Sequence, residues 1–314
     1  MKLVGKGGIS VEIIKHSRNN VSQKDMITIV AEYPRYIHPQ LMTHRMLSKN
    51  SSSSRAIPVA TMIDNVLNSG YTPIYWGKNQ KGMVADGECD ALIEYAGESH
   101  TADGLFGVAK KFNCSIAKAY ADAGYHKEIV NRITEPYQMM RVIISGTEWA
   151  NFFHLRKHGH AQKEIYEVAR LVSEVIEQST PELLKAGEYH VPFVSTVRDD
   201  SGELHYFIPT LNGELEVSAS EAIKVSVSCC AQVSYRKLDT SMAKAEMIFS
   251  SLHLYDTDEP MHASPTEHIA TPIDEDDNIN TNGITAFHKE LGYMSGNLAG
   301  WIQYRHLIPN NTKY

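Results

Sequence analysis

The chain has 314 residues, of which 42% are hydrophobic and 21% are charged, the ordinary range of a globular protein that buries a sizeable core. Its net charge of −7 disfavours nucleic acid and anionic membranes as partners, so a bound phosphate would need a local basic pocket. No apolar run approaches the roughly 18 residues of a membrane span, and the N-terminal residues lack the apolar core of a signal peptide.

Hydrophobic patterning in the first part of the chain predicts two strands, then helices and a long loop. Partial alternation and a high Ile and Val content predict strands over residues 9–16 and 26–32. Mixed apolar spacing predicts a helical segment over 34–47, and a short helix is predicted over 60–69. A proline and several glycines predict a long loop over 70–87.

The middle of the chain is predicted to be mainly helical. Amphipathic spacing predicts helices over 88–130, interrupted at Asp103-Gly104 and at Gly124. Residues 137–146 fit a buried strand. The stretch from Ser145 to Glu148 fits a capping box, which predicts that the next helix starts there.

The last part of the chain completes a mixed pattern. A helix is predicted over 160–178, β-structure with turns over 190–219, and two helices with a strand-like interlude over 221–253. The length allows one large domain or two smaller ones. The economical interpretation is a single α+β domain over 1–314, with inserted loops at about 70–87 and 190–219.

The cysteine pattern bears on the redox compartment. The four cysteines are Cys89, Cys114, Cys229 and Cys230. None forms a CxxC pair and two are adjacent, which is poor spacing for a disulfide framework or a zinc site. This usage predicts a reducing, cytoplasmic location.

A basic segment stands out in this acidic protein. No Asp or Glu occurs between Tyr33 and Ile63, and four consecutive serines run from Ser51 to Ser54. The basic side chains of the segment are Arg35, His38, His44, Arg45, Lys49 and Arg55. Hydroxyls, free backbone N–H groups and bidentate arginines are donors for phosphate oxygens, so the segment predicts a phosphate or pyrophosphate site. The alternative is a flexible serine loop beside a solvated basic face.

The same segment carries the spacing His-Arg-x-x-Ser-x-Asn-x-x-Ser-x-Arg. Its fixed positions are His44, Arg45, Ser48, Asn50, Ser53 and Arg55. This spacing resembles the signature of the flavin-dependent thymidylate synthases, the ThyX family. Residues 151–165 resemble the NFxxLRxxxHAQxEI helix pair of that family, and residues 131–136 stand where the family has an arginine-containing helix end.

Two further resemblances occur out of order. Residues 231–235 resemble the ARVSF element of the family, and residues 262–268 resemble its HxSPxEH element. In the usual family both elements precede the His-Arg signature, whereas here they follow it. The order predicts a circularly permuted member with a ThyX-like fold, a mixed sheet flanked by long helices, because domain termini often lie close together. This hypothesis requires His262 to lie near Arg45.

The chain departs from the family pattern at three positions. Thr43, Ser51 and Ala56 stand where the family has Arg, Glu and Tyr respectively. These differences affect how the pyrimidine and the flavin are held. They leave open which pyrimidine nucleotide is used.

The resemblance implies an activity and an assembly. Members of the family are homotetramers that bind FAD between subunits, reduce it with NADPH and transfer a one-carbon unit from methylenetetrahydrofolate to C5 of dUMP. Hydride from the flavin completes the methyl group of dTMP. No cysteine nucleophile is required, and none of the four cysteines lies in a motif.

The resemblance also implies residue roles. Arg156 is expected to be the catalytic residue, stabilising negative charge that develops on the pyrimidine ring. The nucleotide-binding positions are Gln40, Ser53, Arg55, Arg132 and Arg156. The flavin-binding positions are His44, Arg45, Asn151, His160, Ser234, His262 and Ser264.

Rival functions are a same-scaffold enzyme that makes another 5-substituted pyrimidine, such as a hydroxymethyl nucleotide, and a non-catalytic nucleotide- or flavin-binding protein. A third is a metal hydrolase that uses His154, His158 and His160, but Gly159 breaks their helix and no carboxylate completes the set, so no metal is predicted. The loop around Gln80 could cover a ligand or be purely structural. Residues 301–306 are predicted to form a buried terminal element.

Overall fold

The structure, a computed structural model, describes residues 1–210, 213–234, 238–255, 261–274 and 282–312. The helices are α1 His38–Met42, α2 Val59–Ser69, α3 Ala102–Asp122, α4 Lys127–Val130, α5 Ala150–Arg156, α6 Lys163–Glu177, α7 Ala219–Ala231 and α8 Met242–Ser251. The strands are β1 Lys2–Val4, β2 Ser10–Asn19, β3 Asp25–Pro34, β4 Ser48–Ser51, β5 Ile93–Tyr95, β6 Glu98–His100, β7 Met139–Gly146, β8 Glu182–Leu184, β9 Ser195–Arg198, β10 Leu204–Thr210, β11 Gly213–Val217, β12 Ala270–Pro272, β13 Ala286–His288, β14 Gly292–Ser295, β15 Leu298–Ala299 and β16 Trp301–Gln303. Short 3-10 helices connect several of them.

The main sheet has six strands in the order β1-β2-β3-β7-β4, with β8 paired to β2. All of its pairs are antiparallel except β2 with β8, which is parallel, so the sheet is mixed. The long central strands β2, β3 and β7 were predicted from their β-branched and alternating residues, and these predictions are confirmed. The predicted mixture of a sheet with flanking helices is also confirmed.

Both faces of the sheet are covered, as strand β3 shows. Ile27 and Ile29 pack into a cluster with α6 on one face, and Val30 packs into a second cluster with α7 and Trp301 on the other. Alternate residues of a strand point to opposite faces, which explains why one strand supplies both clusters. Each fully buried side chain of this size contributes roughly 1.5–3 kcal/mol relative to exposure.

A buried hydrogen-bonded chain crosses the sheet. His190 contacts Ser17 Oγ through Nδ1 and Thr28 Oγ1 through Nε2, both at 2.9 Å. Ser145 Oγ continues the chain, 2.6 Å from Thr28 Oγ1 and 2.8 Å from His268 Nδ1. Burial lowers the pKa of His190 well below its usual range and that of His268 to about 3, so both imidazoles are neutral. These hydrogen bonds connect the segment ending at His268 to the sheet.

Two predictions in the middle of the chain are wrong. The first part of 88–130 is an exposed hairpin, β5 with β6, and α3 starts only at Ala102. Asp103-Gly104 lies in the first turn of α3 and does not interrupt it, because the Thr101 side chain caps the helix by accepting the Gly104 N–H at 3.1 Å. Gly124, with φ +89°, follows the helix end as predicted.

The predicted capping box at Ser145 is also wrong. Ser145 lies inside β7, where its hydroxyl is committed to Thr28 and His268, and α5 starts at Ala150 without a side-chain cap. Residues 190–219 do form β-structure, a three-stranded antiparallel sheet in the order β11-β10-β9. Among the described helices, none has the length and apolar character needed to cross a membrane.

Candidate functional site

The first part of the basic segment has regular secondary structure. After α1 a short turn leads into β4, which pairs with the buried strand β7 from Ser48↔Ser145 to Ser51↔Val142. The Ser52 N–H donates to the Arg141 carbonyl at 2.8 Å and extends this pairing. The first serines of the run are therefore part of the sheet, and the flexible-loop alternative does not apply to them.

His44 and Arg156 form the centre of the site. The imidazole of His44 is 7% exposed and packs edge-on against Phe152, with ring centroids 5.0 Å apart. Its Nε2 accepts a hydrogen bond from Arg156 Nε at 2.9 Å. Burial, Arg156 and Lys49 lower the pKa of His44 to about 4. His44 is therefore a neutral acceptor that positions a charged guanidinium.

The rest of the Arg156 guanidinium contacts neutral oxygens. Its Nη2 donates to the Gln40 carbonyl and to Thr43 Oγ1, each at 3.2 Å. Gln40 in turn donates from Nε2 to Gln162 Oε1 at 2.6 Å. Three of the predicted site residues, Gln40, His44 and Arg156, are thus in direct contact, although 112 or more positions separate Arg156 from the other two. Thr43, where the family has Arg, joins the same group.

Lys49 adds a second cation that the motif comparison did not select. Its Nζ donates to the His44 carbonyl at 2.7 Å and to the Leu47 carbonyl at 2.6 Å, so it holds the turn before β4. Burial lowers the pKa of Lys49 to about 8, against the opposing effect of Glu267. The sequence analysis named Lys49 among the basic side chains of the stretch without acidic residues, but no family motif gave it a role.

The predicted nucleotide-phosphate residues lie in a separate exposed group after β4. Ser53, Arg55 and Arg132 are all exposed. Arg55 Nε lies 3.1 Å from Glu128 Oε1, and Arg132 Nη1 lies 2.9 Å from Glu135 Oε1. The two arginines therefore pair with carboxylates that an anionic ligand would have to displace.

Buried Asn131 shapes this loop. Its Nδ2 donates to the Ser54 carbonyl at 2.7 Å and to the Ile57 carbonyl at 2.9 Å. The Arg55 N–H donates to the Ser53 hydroxyl at 3.3 Å. Asn131 immediately precedes Arg132, so one short segment both holds the serine loop and presents an arginine next to it.

The predicted flavin-binding side chains are mostly at the surface. Arg45, Asn151, His160, His262 and Ser264 are all exposed. The 3-10 helix Ser264–His268 packs against β4 and β7, so it lies beside the strand that carries Ser48 and Asn50 of the signature. Ser234 lies in the 3-10 helix that follows α7, but its side chain and Tyr235 fall outside the described part of the chain.

The end of the chain supplies contacts that the motif comparison missed. Ser48, a signature residue, is buried, and its hydroxyl accepts a hydrogen bond from Asn297 Nδ2 at 3.0 Å. Gln303 Nε2 donates to Asn297 Oδ1 at 2.9 Å. Arg305 forms an ion pair with Glu267, and its buried Nε has no hydrogen-bond partner among the residues that the structure describes. Residues 301–306 were predicted to be a buried terminal element, and the burial of β16 confirms the first half of that range.

The histidines near Gly159 do not assemble a metal site among the residues described. The His158 and His160 rings are 4.9 Å apart, but no third ligating side chain joins them. The described residues bring one other group within ligand spacing, Asp199, Glu203 and His205, which is largely exposed and lies on the β9-β10 hairpin.

Comparison with known proteins gives the family. A family model described as thymidylate synthase complementing protein matches residues 8–182, more than half of the 314 residues. Two solved structures of the UMP/dUMP methylase PolB from Streptomyces cacaoi are similar. The complex with 5-Br UMP has 16% identity over 55% of this chain and 90% of that chain, with a TM-score of 0.41. The complex with 5-Br dUMP has 17% identity over 56% and 93%, with a TM-score of 0.39.

The curated proteins contain no match to this chain. The matched range includes the His-Arg signature at His44 and the helix pair at Asn151, the two stretches that contact each other through Arg156. This chain belongs to the thymidylate synthase complementing protein family, the flavin-dependent thymidylate synthases, and is a nucleotide-modifying enzyme.

Proposed function

We propose that the protein is a flavin-dependent thymidylate synthase that converts dUMP to dTMP, with methylenetetrahydrofolate as carbon donor and NADPH as reductant. The observation that supports the proposal is the set of contacts that the Arg156 guanidinium makes. This half-buried guanidinium is held by His44 and by two neutral oxygens, and no carboxylate pairs with it among the described residues. Its positive charge is therefore available to an anionic pyrimidine ring.

Arg156 acts electrostatically in this proposal. For C5 of the pyrimidine to attack the one-carbon unit, the ring must first carry negative charge, shared between C5 and its carbonyl oxygen, and this electron pair forms the new bond. A guanidinium that is already oriented stabilises that charge without having to reorganise. The neutral imidazole of His44 keeps the guanidinium in place and adds no competing positive charge.

The exposed group after β4 would bind the nucleotide phosphate. Ser53 and Arg55 supply a hydroxyl and a guanidinium on one loop, and Arg132 lies on the segment that holds this loop. A phosphate dianion carries twice the charge of a carboxylate and can form charge-assisted hydrogen bonds to both arginines, whereas each arginine now pairs with one exposed carboxylate. We therefore expect the phosphate to displace Glu128 and Glu135.

The donor set also fits FAD. Arg45 has no ion-pair partner in the part of the chain that the structure describes, and its neighbour Lys49 has a partly buried ammonium group. Two cations four positions apart in the sequence suit a pyrophosphate, while Asn151, His160 and Ser264 offer further hydrogen-bonding groups. When bound, FAD would supply the hydride that completes the methyl group. The exposure of these side chains suits a site completed by a second subunit of a homotetramer.

We further infer that the motif order reflects circular permutation. The HxSPxEH-like segment packs against β4 and β7, and His268 bonds to Ser145 within β7. The packing of this late segment beside β4 supports a permuted order of the motifs.

Three of the cysteines, Cys114, Cys229 and Cys230, are buried free thiols, which supports a reducing, cytoplasmic location. We propose that residues 1–314 form a single domain.

Flavin binding tests the cofactor part of the proposal. We expect the purified protein, after incubation with FAD and desalting, to be yellow and to show the absorbance bands of an oxidised flavin. Addition of NADPH without oxygen should bleach these bands. A protein that retains no FAD at micromolar concentrations would contradict the proposal. Riboflavin, which lacks the pyrophosphate, should be retained much less well because Arg45 and Lys49 lose their anionic partner.

A further inference from the structure

Lys49 lies in the His-Arg signature at a position that the motif leaves unspecified, and its ammonium group contacts the turn before β4. The turn spans His44 to Leu47. Its backbone hydrogen bond, from the Leu47 N–H to the His44 carbonyl, is long at 3.3 Å. Lys49 Nζ adds two shorter bonds, 2.7 Å to the His44 carbonyl and 2.6 Å to the Leu47 carbonyl. One side chain therefore holds the first and the last residue of the turn.

The turn also packs closely against the end of β7. A Cβ on Gly146 would lie 2.6 Å from Leu47 Cδ2 and 3.2 Å from the Met46 carbonyl oxygen, so a side chain here would displace the turn or Leu47. Leu47 itself is buried. Packing thus fixes the turn at Leu47, whereas the His44 carbonyl receives its shortest hydrogen bond from Lys49.

The position of His44 matters because its ring orients Arg156. His44 Nε2 accepts the hydrogen bond from Arg156 Nε at 2.9 Å, while the His44 carbonyl accepts from Lys49. Phe152 contacts the ring edge-on but does not hold the backbone of His44. A displacement of that backbone would move the ring and, with it, the guanidinium. Lys49 and Arg156 therefore contact the same residue at its backbone and at its ring.

The charge of Lys49 is compensated mainly by the two carbonyls. In the part of the chain that the structure describes, no carboxylate lies within ion-pair distance of Lys49, and the acid that affects it electrostatically, Glu267, pairs with Arg305. Burial lowers the pKa of Lys49 to about 8, so the group is mainly protonated at neutral pH and donates to both carbonyls. Removing an ammonium group from water is unfavourable, which makes these hydrogen bonds its principal compensation.

We propose that Lys49 is a positioning residue of the reaction, which holds the turn from His44 to Leu47 so that the His44 ring orients the Arg156 guanidinium. Lys49 acts through His44 and does not itself contact the pyrimidine. The assignment rests on the proposed function, since it concerns the orientation of the group that stabilises charge on the pyrimidine ring. A misplacement of about 1 Å in such a group can cost about 10²-fold in rate.

The test is Lys49→Met, which keeps a long unbranched side chain but removes the donors. We expect kcat to fall about 10-fold, less than on loss of Arg156 itself, and the KM for dUMP to change less than kcat. Rates are measured at saturating FAD, because Lys49 also belongs to the donor set proposed for the pyrophosphate. Lys49→Gln serves as a second neutral variant if Lys49→Met does not fold, and Lys49→Arg should recover part of the lost kcat.

A partly buried lysine on α3 provides the matched control. Lys110 Nζ donates to the Gly70 carbonyl at 3.1 Å and to Thr72 Oγ1 at 3.2 Å, and burial lowers its pKa as well. Lys110→Met therefore removes a similar group that does not contact the turn, and its kcat should equal that of the wild type.

A double-mutant cycle distinguishes positioning from a general loss of stability. In an Arg156→Ala background, Lys49→Met should have no further effect on kcat, because the residue through which Lys49 acts is absent. The same loss in both backgrounds would overturn the assignment. A folded Lys49→Met protein with the kcat of the wild type would also overturn it, and would leave the proposed function intact.

NMR titration of the His44 ring gives a readout that needs no turnover. Burial, Arg156 and Lys49 together lower the pKa of His44 to about 4. Loss of the positive charge of Lys49 should raise the pKa of His44, whereas Lys49→Arg and Lys110→Met should leave it at the wild-type value. An unchanged pKa of His44 in Lys49→Met would contradict the contact between the two residues. A wild-type protein that does not modify dUMP would contradict the proposed function, and the titration would still decide whether Lys49 acts on His44.

Discussion

Replacement of Arg156 by alanine is expected to lower kcat by about 10²- to 10³-fold, the usual cost of removing a pre-oriented donor from a developing negative charge. The expectation follows from the geometry, because the guanidinium is fixed by His44, Gln40 and Thr43 and is not neutralised by an acid among the described residues. The measurement is steady-state dTMP formation at saturating dUMP. The KM for dUMP should change less than kcat.

The neighbouring lysine provides the matched control. Lys157 directs its Nζ to Ser173 Oγ at 3.0 Å, on α6, so Lys157→Ala removes an adjacent positive charge without touching the site. Its kcat should equal that of the wild type. Arg156→Lys keeps the positive charge but loses the planar guanidinium, so its kcat should lie between those of Arg156→Ala and Lys157→Ala. Equal kcat values for Arg156→Ala and Lys157→Ala would contradict the assigned role.

Replacement of Arg55 by alanine is expected to raise the KM for dUMP by about 10- to 100-fold and to leave kcat nearly unchanged. The reason is the loss of charge-assisted hydrogen bonds to the phosphate, worth about 1.5–3 kcal/mol. Arg55 is on the exposed loop after β4, whereas Arg156 is fixed by His44, so the two losses should affect different constants. The measurement is the dependence of the initial rate on dUMP concentration.

Glu128 provides a control variant that should not raise the KM for dUMP. Its carboxylate lies 3.1 Å from Arg55 Nε, in a pair whose arginine is 65% exposed and which contributes little to stability. Glu128→Gln frees the arginine and should leave the KM for dUMP unchanged or lower it. A variant Arg55→Ala with normal KM, or with a large loss in kcat, would remove Arg55 from the phosphate site.

Local pattern was sufficient to predict the central sheet. Strands β2, β3 and β7 are rich in Ile and Val and are buried, so propensity and packing act in the same direction. The hairpin of β5 and β6 was missed because its residues are mostly exposed and show no buried alternation. Ser145 was misassigned because a hydroxyl that fits a cap by spacing is used instead in a long-range hydrogen bond to His268.

Sequence motifs identified some residues of the candidate site, whereas its other contacts depend on how the chain folds. His44 and Arg156 were selected from short motifs, and the structure brings them into contact across 112 positions of sequence. Glu164 occupies a fixed position of the helix-pair motif but was given no role, because only the fold shows that it accepts a hydrogen bond from Tyr71 while Glu167 pairs with Arg170. The contacts of Ser48 with Asn297 were also unpredictable, since they depend on how the end of the chain packs on β4.

The most direct test of the central claim is the mass of the product formed from dUMP. The protein is incubated with FAD, NADPH, methylenetetrahydrofolate and dUMP, and the nucleotide is analysed by mass spectrometry, with dCMP as a parallel substrate. We predict a product heavier than dUMP by one CH₂ group, identical to dTMP, and formed only when FAD is present. A product heavier by CH₂O, conversion of dCMP in place of dUMP, or turnover without flavin would contradict the assignment.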